Sequence, residues 1–449
     1  MRRARLLRSR SSLLLRFARP GIIQPMFNRI VRGLEITFVL IILALLTNYS
    51  NPSLSHPIEK VRAYTRQIEF NYISWMTNAA LIKLRSASIG APYTLNNSEQ
   101  KQTVTEYLRA TQAILEKEYL LEQIYADANI KDKELNSISV REDLAREQAR
   151  QTELAPLAEA ILQDQVSQIL AENGLTTIGQ PVPSVWYHST ALPMALIVSP
   201  RDRIEQTANI SINMDLTVDE QAALEASVDK GLNTSSLVVH IGGVGVYPTM
   251  VMRSTDTRWM LSTVAHEWIH NYLTLRPLGF LYGESPELRT MNETTASIAG
   301  NEIGALVIER FYPELISASH PRPGLISAPF GNSQAESFAP PPFDFREQMR
   351  ETRITVDALL AEGKIEEAET YMEERRLVFL ENGYLLRKIN QAYFAFFGAY
   401  ADSPGGAAGE DPVGPAVRAL REQSDSLADF VNTISWMTSF EQLQEAIKK

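Results

Sequence analysis

The sequence predicts an α+β protein, mainly helical, with a small sheet in its middle third and one N-terminal transmembrane helix. Three observations carry that expectation. Residues 58–172 are rich in Ala, Leu, Glu, Gln and Arg and nearly free of glycine, a composition that favours long helices. From Pro181 onward short β-branched runs take over. Near the start, an apolar run stands directly behind a block of arginines.

The arginine block comes first. Residues 1–32 hold nine arginines, no lysine and no acid. The apolar run from Leu34 to Thr47 follows, and no Asp, Glu, Lys or Arg stands between Ile36 and Pro57. A basic flank before an apolar run stays on the cytoplasmic side. Residues 1–33 therefore read as an Arg-rich cytoplasmic tail, 34–50 as a single-pass signal anchor, and the rest as extracytoplasmic. The strongly apolar part is about 11 to 14 residues, shorter than the roughly 20 that span a bilayer comfortably, so a cleaved signal is the alternative. The residues after it, Thr47-Asn48-Tyr49-Ser50-Asn51-Pro52, offer no small-x-small cleavage site, which favours the uncleaved anchor.

With 449 residues, 45% of them hydrophobic, the chain can bury a large core. It has no cysteine, which excludes disulfides, a lipidated cysteine, thiolate metal ligands and a cysteine nucleophile. Any metal must be held by His, Asp or Glu. Beyond the arginine block 53 acids face 34 bases. So acidic a body is a poor partner for nucleic acid.

After the helical region at 58–172, segments 184–187, 195–199, 210–214 and 236–241 read as strands of a small sheet, with Gly242, Gly243 and Gly245 just after. A helix is predicted over 257–275, stopped by Pro277. Another runs over 286–311, with Ser285 as its N-cap, Pro286 at its first position and Pro313 beyond its end. Residues 316–345 hold six prolines (Pro321, Pro323, Pro329, Pro340, Pro341 and Pro342) and read as a lid loop on the substrate side. Helices resume over 345–397 and from Val413 onward, split by the Gly/Ala/Pro stretch 403–415.

The chemistry concentrates in His266-Glu267-Trp268-Ile269-His270, an H-E-x-x-H sequence inside a predicted helix. Residues four apart on a helix lie about 40° apart around its axis, so both imidazoles reach one zinc ion. Glu267 can take a proton from zinc-activated water and pass it to a leaving amine. The bland reading is two histidines on a helix surface. Against it, the flanks Met260-Leu261, Val264-Ala265 and Trp268-Ile269 are apolar, so the helix is buried, where unpaired His and Glu are costly. Glu293, in Asn292-Glu293-Thr294-Thr295-Ala296-Ser297, offers the third ligand that a catalytic zinc takes besides water. Its face of the helix continues through Ala296, Ser297, Gly300 and Gly304, all small enough for close packing. Glu302 is rotated by about 180° from Glu293, and Glu309 falls on that opposite side too. To steady a developing oxyanion the candidates are Tyr247, Tyr282, His320, Tyr393 and Tyr400. Asn390, Tyr393 and Tyr400 read as one polar face of a helix, and Tyr393 is the choice. His188 and His240 lie in strands and read as structural.

HEWIH followed by NETTA resembles the gluzincin class of zinc metallopeptidases, thermolysin-like in pattern. The resemblance covers about 40 residues well and leaves the N- and C-terminal thirds unexplained. It implies a zincin-like core over about 180–315, with His266, His270 and Glu293 as zinc ligands and Glu267 as catalytic base. The pattern departs at Ser297, where that class carries an Asp that orients a zinc histidine; a serine can accept a hydrogen bond but brings no charge. The glycine-flanked strand before the zinc helix resembles the edge strand on which gluzincins lay an extended substrate, while an ordinary core strand is the competing reading. The expectation is thus a membrane-anchored zinc metallopeptidase acting on peptides or proteins, with residues 346–449 as a C-terminal helical region. A catalytically silent surface scaffold on the same core, or a zinc hydrolase of another bond, are its rivals.

Overall fold

The computed structural model describes residues 57–87, 91–126, 130–177, 179–214, 216–317 and 343–448. The signal anchor at 34–50 and residues 318–342 of the Pro-rich lid, with His320, lie outside the described residues. Among the described residues no helix is long and apolar enough to cross a membrane.

The chain is mainly helical with small sheets, as the α+β expectation has it. Helices α1 (Pro57–Thr65), α2 (Tyr72–Ala87), α3 (Asn97–Ala126) and α4 (Lys133–Glu172) fill the first third. Asp132 starts α4 by accepting the backbone N–H of Leu135 at 2.9 Å. Its two halves differ in kind. Leu135 and Ile138 are exposed, whereas Ile161, Leu162, Val166, Ile169 and Leu170 recur at helical spacing and enter the main core.

The middle third holds two three-stranded sheets where the sequence pattern suggested one. Strands β1 (Tyr187–Thr190), β2 (Met194–Pro200) and β3 (Ala208–Ile212) come first, then α5 (Val218–Leu232), then β4 (Thr234–His240), β5 (Gly243–Val244) and β6 (Thr249–Met252). One sheet is antiparallel with order β3-β2-β4. In it β2 is buried on both faces: Ala195 and Ile197 point into a cluster built with the C-terminal helices, and Met194, Leu196 and Val198 into one closed by α5. This double burial explains its continuous apolar run Met-Ala-Leu-Ile-Val. The other sheet has order β1-β6-β5, with β1 parallel to β6 and β5 antiparallel to it. Its parallel pair joins segments about sixty residues apart, a register that no local pattern announces.

Two helices form the centre of the largest core. Helix α6 (Thr257–Leu273) is capped by Asp256, which accepts the Trp259 N–H at 2.9 Å. After the short α7 (Pro277–Phe280), α8 (Pro286–Phe311) is capped by Ser285, which accepts the Leu288 N–H at 3.2 Å. Both start where the sequence predicts. The contact between them is close because α8 presents glycines: a methyl added at Gly300 would stand 2.7 Å from the Ser262 carbonyl oxygen and 2.9 Å from His266 Cβ, and one at Gly304 would stand 2.7 Å from the Ser262 nitrogen.

Following α9 (Pro313–Ser317), the predicted helical stretch 345–397 is three helices: α10 (Phe345–Ala361), α11 (Ile365–Glu381) and α12 (Gln391–Phe397). The breaks fall at Gly363 (φ +74°) and Gly383 (φ +86°), left-handed conformations that end a helix and suit glycine. Helices α13 (Val413–Gln423), α14 (Leu427–Ser435) and α15 (Phe440–Ala446) then pack on the main core.

Candidate metal centre

Helix α6 delivers His266 and His270 on one face, and α8 brings Glu293 against them. The two Nε2 atoms lie 3.0 Å apart, and Glu293 Oε2 lies 3.6 Å from that of His266 and 3.3 Å from that of His270. An ion with bonds of about 2.0–2.1 Å in tetrahedral array holds its ligand atoms roughly 3.3 Å apart, the middle of this range. Glu293 is buried, and its Oε2 has no hydrogen-bond partner. A buried carboxylate oxygen outside hydrogen-bond geometry is costly unless a positive charge answers it, either a protonated imidazole such as His270 at 3.3 Å or a metal ion. This group can hold a metal ion, and its two nitrogens and one oxygen fit zinc.

Neighbouring side chains set the orientation of each ligand. The Asn292 amide nitrogen donates to the Leu278 carbonyl at 3.2 Å, which fixes the amide's orientation and leaves Oδ1 to accept from His270 Nδ1 at 2.8 Å. With Nδ1 committed to Asn292, Nε2 is the nitrogen that His270 turns toward His266 and Glu293. Ser297 Oγ lies 3.4 Å from His266 Nδ1, the contact expected of it from its place four residues beyond Glu293. Tyr282 donates its hydroxyl to Glu293 Oε1. Asn292 and Tyr282 had no such roles in the sequence reading. Asn292 stands directly before the ligand glutamate, which is the one signal that could have marked it.

Electrostatics at the cluster follow from burial and mutual charge. Burial works against ionising Glu293, but His270 and His266 beside it hold its carboxyl well below the usual range. Burial also disfavours a charged His270, yet the Glu293 carboxylate outweighs it and raises the imidazole to about 9. Glu267 is pushed up by burial, with the two histidines opposing.

Glu267 lies on α6 between the two histidines in sequence, and the backbone at Gly243 and Gly245 presses on it. A methyl at Gly243 would collide with its carboxylate, and one at Gly245 would stand 3.3 Å from its Oε2 and from His270 Cβ. Strand β5 is the edge of its sheet. On another side, Tyr400 lies with its ring 6.3 Å from that of His266, the two planes 25° apart.

The remaining sequence candidates lie elsewhere. Tyr393 is buried in the second core with its ring against Phe394 and Phe397, and burial alone raises its hydroxyl. Tyr393 and Tyr400 do not share a helical face, because α12 ends at Phe397, before Tyr400 is reached. Asn390 is the N-cap of α12, accepting the Tyr393 N–H at 2.9 Å. The Tyr247 hydroxyl donates to the Ser184 carbonyl at 3.1 Å. Glu302 is paired with Arg421 at 2.8 Å, and Glu309 is exposed. His188 Nδ1 contacts the buried Glu159 at 3.1 Å, and His240 is an exposed strand end.

Fold and site together define a mainly helical α+β protein with a buried His-His-Glu group fit for a metal ion. No protein-family model, no curated protein and no solved structure matches the chain.

Proposed function

We propose that this protein is a zinc-dependent metallopeptidase of the gluzincin type, with a zincin-like core. The observation that carries the reading is the convergence of His266 Nε2, His270 Nε2 and the partnerless Glu293 Oε2 beside the buried carboxylate of Glu267. When bound, zinc supplies a Lewis acid for the scissile carbonyl and makes water acidic enough to attack near neutral pH.

The chain's own residues do the rest. His266, His270 and Glu293 hold the ion, with Asn292 and Ser297 orienting the imidazoles. Glu267 accepts the proton of the attacking water and returns it to the departing amine. The edge strand β5 offers its backbone to an extended peptide, and Gly243 in it, with Gly245 just after, lets the chain run against Glu267. Tyr400, over His266, takes the oxyanion-steadying role read onto Tyr393. Residues 34–50 as the membrane anchor, with the catalytic part outside, complete the proposal on the sequence pattern alone.

The test is zinc content of the purified full chain in detergent together with cleavage of a mixed peptide library. The expected outcome is one zinc per chain, lost in Glu293→Gln. Cleavage should fall by about 100- to 10,000-fold in Glu267→Gln while zinc is retained. Zinc without cleavage of any peptide would turn the reading to a silent scaffold. No zinc at neutral pH would end it.

A further inference from the structure

We propose that Tyr282 is a positioning residue of this metal centre: by donating to Glu293 Oε1 it leaves Oε2 as the one oxygen presented to the ion, and Arg289 fixes it from behind. The inference rests on the metal-binding reading above and adds what sets the coordination number. The two oxygens of Glu293 are placed differently. Oε1 accepts the Tyr282 hydroxyl, while Oε2 has no hydrogen-bond partner and faces both histidines at 3.6 and 3.3 Å. A carboxylate free to rotate can offer one oxygen or both. One tied at Oε1 offers a single oxygen, and the ion keeps three protein ligands and an open position, the arrangement of a catalytic rather than a structural site.

Tyr282 is itself held. It stands in the turn between α7 and α8, and its oxygen accepts from Arg289 Nε at 3.3 Å. Arg289 lies one turn before Glu293 on α8 and is 7% exposed, a burial that arginine rarely accepts without fixed partners. Its remaining nitrogens donate to the carbonyl oxygens of Ala395 and, at 3.4 Å, Phe396. Those carbonyls belong to the last turn of α12, where no further helical N–H is available to them. A line of hydrogen bonds therefore runs from the end of α12 through Arg289 and Tyr282 to the ligand. A tyrosine committed to Glu293 in this way serves the ligand and not the substrate, which leaves the oxyanion to Tyr400.

The experiment is titration of the full chain in detergent with zinc and with cobalt(II), for wild type, Tyr282→Phe and Arg289→Lys, with the visible cobalt spectrum as readout and circular dichroism as control of folding. Tyr282→Phe keeps the ring and loses the hydroxyl. It should weaken zinc binding roughly 10- to 100-fold and lower the intensity of the cobalt bands as the second carboxylate oxygen joins the ion. Arg289→Lys keeps the charge but not the fork, and should change the spectrum in the same direction. If Tyr282→Phe fails to fold, Arg289→Lys decides the question by the same spectrum. Wild-type affinity with an unchanged cobalt spectrum in the variants overturns the proposal and leaves the metallopeptidase reading intact. A wild-type chain that takes up neither metal overturns both.

Discussion

His270 meets two demands with two nitrogens. Nδ1 keeps its proton for Asn292, so Nε2 is the atom that must give one up when a cation arrives. Burial opposes the charge on His270, but Glu293 outweighs it and raises the imidazole to about 9, so a metal ion binding near neutral pH would have to displace that proton. Apparent zinc affinity should therefore climb with pH by close to tenfold per unit until about pH 9. Calorimetry in buffers of different ionisation enthalpy should find about one proton released per ion near pH 7, and an affinity flat between about pH 6 and 9 would contradict the competition. At this scale the sequence was informative about which three side chains come together and poor about what surrounds them. H-E-x-x-H has a fixed helical geometry that reads directly, and Glu293 could be separated from Glu302 by rotation alone. Tyr393 was chosen on the assumption that one helix carries it and Tyr400, and the helix stops between them. Tyr282 and Arg289 reach Glu293 through side-chain directions that no spacing encodes.

Helices α6 and α8 show how tightly two elements can be matched. Their backbones approach at Gly300 and Gly304, where α8 has no side chain and Ser262 and His266 of α6 fill the space. Gly304→Ala brings a methyl against the Ser262 backbone, and overpacking of this kind should cost about 1–3 kcal/mol in urea unfolding. Gly300→Ala presses on His266 as well, so it should also weaken zinc binding, measurable in the same titration as above. A Gly304→Ala chain as stable as wild type would mean the helices separate without cost. Both helices were legible because their ends are chemical: Asp256 and Ser285 accept first-turn N–H groups, and Pro286 tolerates a first position that needs no donor. The breaks in 345–397 had signals too, in Glu362-Gly363 and Asn382-Gly383, but a surrounding helical composition masks a single glycine. Sheet count was not legible at all, since strand pairing depends on which distant segments meet.

Across the whole molecule, the first third shares the main apolar core with the middle, and one buried charge lies between them. Glu159 on α4 is fully buried and accepts from Lys83 of α2, from His188 Nδ1 at 3.1 Å and from the Ser189 N–H of β1 at 2.9 Å. Burial opposes its ionisation, but Lys83 and His188 prevail and hold it at about 2. A depressed carboxyl stabilises the fold fully above its ordinary value of 4.5 and progressively less as pH falls toward about 2, a contribution on the order of 3 kcal/mol. Lys83→Met leaves that charge alone and should destabilise the chain by about 3–5 kcal/mol at pH 7, while Lys83→Met with Glu159→Met should recover most of the loss. Denaturant midpoints for the three proteins decide it, and a single variant no worse than the double would refute the account. The C-terminal third is joined differently, through Arg289 and through Thr294, which donates to the Ala399 carbonyl at 3.3 Å and accepts the Ala401 N–H at 3.4 Å. These bonds hold residues 395–401, and so Tyr400, beside a His-His-Glu group that lies far earlier in the chain. On a ribosome His266, His270 and Glu293 emerge about a hundred residues before that segment, so helices α6 and α8 can bring the three side chains together before the residues that cover them exist.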